Sequence, residues 1–118
     1  MTVRNLMVLP GLELELHFAD HITQDIARAV ELVASVITRI IAEDDVFVSG
    51  AILDEEGDKF RLGFYRQPIR FVRQYGFDRN EFLNSVMEAV EAGQLADSDY
   101  NFEHLEKLKK FVQEHRIW

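Results

Sequence analysis

From Leu12 to Phe18 the chain alternates without a break, with Leu12, Leu14, Leu16 and Phe18 on one side and Glu13, Glu15 and His17 on the other. A period of two is that of a strand with one buried face. After Phe18 the apolar period changes. Ile22, Ile26, Val30, Val33, Ile37 and Ile40 recur at intervals of three and four as far as Ala42, the stripe of an amphipathic helix. A half-buried strand running into a helix of about six turns leaves few architectures open. Each element has one apolar side to hide, so the chain must lay helix on sheet in at least two layers. Asp20 stands where a cap for the helix is expected, its carboxylate able to accept from the free N–H groups of the first turn.

Further elements follow the same reasoning. Val46 to Leu53 is apolar on both sides, as a central strand would be, and Lys59 to Tyr65 alternates again with Phe60, Leu62 and Phe64 inward. Asp54 to Asp58 joins them as a hairpin loop, Gly57 being free to take a positive φ. Glu13 and Glu15 match Lys59 and Arg61 in charge, which places the Lys59 strand between the other two. Pro68 suits the first position of a short helix over Ile69 to Tyr75, closed by Gly76. Asp78 and Glu81 have the spacing of a capping box, with Phe77 placed to staple onto Phe82, and that helix stops at Gly93. A last helix starts near Asn101 and buries Phe102, Leu105, Leu108 and Val112. The expectation is a single α+β domain over 1–118. Its three-stranded, mainly antiparallel sheet, in the order β-α-β-β-α-α-α, is covered by the long central helix and the C-terminal helices. Leu32 and Val36 fall off the stripe of the central helix, beside Asp25, Arg28 and Arg39. Two large aliphatics among charges need a second surface, and a homodimer contact is the reading considered for them.

A chain of 118 residues suits one core and is short for two. With no cysteine, thiol nucleophiles, disulfides and thiolate metal sites are excluded together, and a cytoplasmic protein held by burial alone is expected. The apolar run at Leu6 to Leu9 ends at Pro10 and Gly11, too short for a secretory core. Asp25, Arg28, Glu31 and Arg39 interrupt the hydrophobic stretch from Ile22 to Ile41, so no membrane span is expected.

The residues that usually carry chemistry are present without their patterns. His17 and His21 are four apart but belong to a strand and a helix start, so they do not share the helical face that metal spacing requires. His104 and His115 are too far apart on one helix. Ser49 precedes Gly50 with no nucleophile elbow around it, and the glycines at 50, 57, 63 and 76 form no phosphate loop. Asp54, Glu56 and Asp58 lack the glycine and distal glutamate of a calcium loop. Neither a metal nor a cofactor is expected, and an enzyme using carboxylates or histidines outside a familiar motif is the least favoured function.

Charge is distributed unevenly. Thirteen Lys and Arg against twenty-one Asp and Glu give −8, which disfavours nucleic acid and anionic membranes as partners. Glu43, Asp44, Asp45, Asp54, Glu55, Glu56 and Asp58 form an acidic block suited to a basic protein partner. Arg66, Arg70 and Arg73 recur at helical spacing among Tyr65, Phe71 and Tyr75, a composition that fits an anion or carboxylate site. The competing account pairs these arginines internally and lays their stems over apolar surface. In size and charge the chain resembles small acidic α+β immunity proteins and antitoxins that neutralise basic toxins such as nucleases. The expectation is therefore a non-enzymatic inhibitor of that type, with a homodimeric regulatory or structural protein as the alternative.

Overall fold

The computed structural model describes residues 3–9, 13–43, 48–91 and 102–118. The alternating segment forms a strand, β2 (Leu14–Ala19), and the striped segment the long helix α1 (Gln24–Glu43). The cap is one turn later than expected. The Ala19 carbonyl accepts from the Ile22 amide at 3.1 Å, and the Thr23 hydroxyl accepts from the Ile26 amide at 3.4 Å. Thr23 therefore holds the N-cap position and Asp20 lies in the preceding turn.

The sheet corrects the three-stranded expectation. It has five strands in the order β1-β2-β3-β4-β5, the others being β1 (Val3–Leu9), β3 (Gly50–Glu56), β4 (Lys59–Arg66) and β5 (Arg70–Asp78). It is mixed: β2 and β3 run parallel and every other neighbouring pair runs antiparallel. Helix α1 is the crossover that a parallel pair requires, and this connection puts β3 beside β2. The charge match between Glu13, Glu15, Lys59 and Arg61 is too weak a term to reverse it. The short helix expected over Ile69 to Tyr75 is strand β5 instead. Pro68 sits in the turn between β4 and β5, and Arg73, Tyr75 and Phe77 face the core at period two. Pairing along β4 outweighs the helical spacing of the arginines.

Two further helices, α2 (Arg79–Glu91) and α3 (Phe102–Glu114), complete the order β-β-α-β-β-β-α-α. The start of α2 follows the local signal. Asp78 Oδ1 accepts from the amides of Asn80 and Glu81 at 3.0 and 3.2 Å, and the Phe77 and Phe82 rings meet at 5.2 Å. Gly93 lies outside the described residues.

Leu14, Leu16, Phe18, Ala51, Leu53, Phe60, Leu62, Phe64, Tyr75 and Phe77 form the inner face of the sheet. The helices cover this face: Phe82 of α2 packs edge-on to Phe60, and Phe111 of α3 stacks on Phe77. Helix α1 shares the same buried cluster and also contacts α3. Among the described side chains its wet side carries Gln24, Arg28, Glu31, Ser35, Thr38, Arg39 and Ala42. Leu32 and Val36 are each 3% exposed within one chain, so the second surface they need is supplied internally. No described helix is long and apolar enough to cross a membrane.

Candidate functional site

With the described helices on one side, the other side of the sheet is left to solvent and to the C-terminal tail. Side chains alternate across strands, so its composition follows from the register. From β1 come Leu6 and Val8, from β2 Glu15 and His17, from β3 Gly50, Ile52, Asp54 and Glu56. Lys59, Arg61, Gly63 and Tyr65 come from β4, and Phe71, Gln74 and Gly76 from β5.

The middle of this face is flat, and glycine makes it so. A Cβ on Gly50 would sit 2.5 Å from the Tyr65 ring, one on Gly63 2.6 Å from the Phe71 ring, and one on Gly76 2.5 Å from the end of Ile117. Each missing side chain lets a neighbour from the next strand or the tail lie down along the sheet. Tyr65 is 4% exposed as a result, and its hydroxyl shares a 2.9 Å hydrogen bond with His17 Nε2. Burial, and then the Glu15 carboxylate, push the Tyr65 phenol above its usual range. Glu15 Oε2 lies 3.6 Å from the same His17 nitrogen.

Around the flat centre the face has two halves of unlike chemistry. In the β1–β3 half Leu6 and Val8, 56% and 62% exposed, lie across from His17 and Glu15, with Ile52 next to His17, while Asp54 and Glu56 lie further along β3 opposite Arg61 and Lys59. Toward the β4–β5 turn the face carries Phe71, with Trp118 of the tail alongside, the two rings 6.4 Å apart; Arg66 and Arg70, next in chain to Tyr65 and Phe71, register to the opposite side of the sheet. Arg66 and Arg70 are exposed and directly opposite one another, a like-charge pairing that an anion or carboxylate would relieve.

The expected acidic block is not one surface. Asp44 and Asp45 lie outside the described residues, as does the side chain of Glu43. Asp54 and Glu56 are on the uncovered face, Asp54 opposite Arg61 and Glu56 opposite Lys59, with Glu56 Oε2 3.9 Å from the Arg61 guanidinium. Asp58 is exposed in the tight turn, where Gly57 takes φ 61°. Glu55 points the other way. Its side chain is 13% exposed, bonded to Arg79 at 3.0 Å with His21 at 3.4 Å, and the Arg79 guanidinium lies over the Phe60 ring. It ties the sheet to the start of α2. Arg73 registers opposite Phe64, on the same side of the sheet as Arg66 and Arg70, and donates to the Val72 carbonyl at 2.8 Å.

Sequence reasoning missed the uncovered face itself, and with it Leu6, Val8, Ile52, Tyr65 and Trp118. The one signal available was the set of glycines inside strand-like segments, of which Gly50 marked a close backbone approach. Among the described residues no group of three His, Asp or Glu is placed to hold a metal ion. Comparison with protein families, with curated proteins and with solved structures finds no match to this chain.

Proposed function

We propose that the protein is a non-enzymatic binding module that docks a basic protein on the uncovered face of its sheet, in the manner of an immunity- or antitoxin-type inhibitor. The observation that carries this reading is the flat sheet face on which exposed apolar side chains, Leu6 and Val8, stand across from His17 and Glu15, with the carboxylates of Asp54 and Glu56 further along the same face. Flatness suits a protein partner. The net charge of −8 favours encounter with a cationic one, and the apolar groups supply area that is removed from water once the complex forms. Glu55 takes no part, being held inside the fold.

The test is affinity capture from the native host on immobilised protein, eluted with a salt gradient, beside a Glu15→Lys/Asp54→Lys variant. Both positions are on the solvent side of the sheet, and because Asp54→Lys sets a cation opposite Arg61 the unfolding midpoint of the variant is measured beside its binding. The expected result is a basic protein released by salt and lost from the variant by about tenfold or more in affinity. A partner held equally by the variant, or one indifferent to salt, contradicts the reading.

A further inference from the structure

The two edges of the sheet are treated differently. At β5 the backbone is covered: Gln74 donates to the Trp118 carbonyl and Gly76 to that of His115, while Ile117 donates to the Gln74 carbonyl. The Val72 carbonyl is occupied by Arg73. At β1, among the described residues, nothing pairs with the outer side. The β1 sequence, VRNLMVL, has one charge and no proline, so it carries little of the protection that keeps edge strands from pairing. Beneath this edge, between β1 and α1, lies an open groove of about 590 Å³. Met7, Phe18, Ile22 and Ala27 form its apolar wall, with Arg28 and Glu31 on α1 also lining it.

We propose that two copies of this chain pair edge to edge along β1, antiparallel about a two-fold axis at Leu6, so that their sheets continue as one of ten strands. Three features select a second copy over a foreign strand. Centred on Leu6, the strand meets its own sequence without a like-charge clash, Arg4 falling opposite Val8 and Asn5 opposite Met7. Leu6 also lines the groove that holds Arg28 and Glu31, so the axis at Leu6 reverses that pair and offers each guanidinium the other copy's Glu31 carboxylate. The arrangement closes on itself, using one patch twice, as a two-fold dimer must. The strand added to each edge also brings side chains over the groove, joining backbone hydrogen bonds to apolar burial. This pairing uses the edge of the sheet and does not rest on the basic-partner reading, which uses its face.

Sedimentation equilibrium of the full chain from about 1 to 200 μM decides it, with amide exchange of residues 3–9 followed over the same range. The expected result is a mass rising from 13.7 kDa toward twice that value, with slower exchange along β1 as it does. Leu6→Lys/Val8→Lys changes two solvent-facing side chains and is expected to raise the dimer dissociation constant by about tenfold or more. Arg28→Glu should weaken the dimer, and Arg28→Glu/Glu31→Arg should restore it. A monomer throughout overturns the inference, as does a dimer that survives the double lysine variant or one that forms without slowing exchange at residues 3–9.

Discussion

At the scale of single residues, the flatness of the uncovered face depends on which glycines are backed by rigid neighbours. The Tyr65 ring over Gly50 is buried and hydrogen-bonded to His17, so it cannot retreat from an added methyl. The neighbour of Gly76 is the end of a flexible, 60% exposed Ile117 side chain, which can. Gly50→Ala is therefore expected to lower the free energy of unfolding by about 1–3 kcal/mol, and Gly76→Ala by less than about 0.5 kcal/mol. Urea unfolding of the two variants checks this ordering, and equal costs would contradict it. Features set by near neighbours in sequence were legible. Asp78, three residues before Glu81 and next to Phe77, states a helix start on its own, and the structure has its carboxylate on both expected amides. Asp20 was misleading because Thr23 can cap as well, and the choice between them depends on where β2 releases the chain.

Among elements, β2 and β4 were readable, β3 only in part, since it runs on through residues 54–56 where a loop was expected, and the outer two were not. β2 and β4 bury one side against the helices, so burial writes a period of two into them. β1 faces partly outward at the rim, and Leu6-Met-Val-Leu9 is continuously apolar with no alternation to read. The arginines at 66, 70 and 73 imitate a helix face, whereas Arg66 ends β4, Arg70 starts β5 directly opposite it, and Arg73 pairs with Phe64 further along β5. The C-terminal tail belongs at this scale, since it closes an edge that β5 would otherwise present. Removing Arg116 to Trp118 deletes the hydrogen bonds of Gln74 with Ile117 and Trp118 and strips the cover from Gly76 and Phe71. The expected loss is about 1–3 kcal/mol of stability, with faster hydrogen exchange at the Gln74 amide. An unchanged Gln74 exchange rate would mean that the tail does not hold the edge.

For the molecule as a whole, the division of labour between the two sides of the sheet governs what it can do. Helices α1, α2 and α3 bury the apolar side of the sheet, so the hold on this chain without cysteines comes from burial. The other side carries aromatics laid over glycines, bare aliphatics on β1 beside Glu15, and Asp54 and Glu56 of β3 opposite Arg61 and Lys59 of β4. Overall charge was evident from composition, but its placement was not. Separating Glu55 from Glu56 requires knowing which side of β3 is covered, and that depends on the crossover through α1. The most direct test of the account is a comparison of amide chemical shifts for the labelled protein alone and bound to the basic protein that it captures. Changes concentrated at Glu15, His17, Ile52, Asp54 and Tyr65, with the exposed sides of α2 and α3 unmoved, are the predicted result. Changes centred on α2 and α3 that leave the open side of the sheet untouched would contradict it.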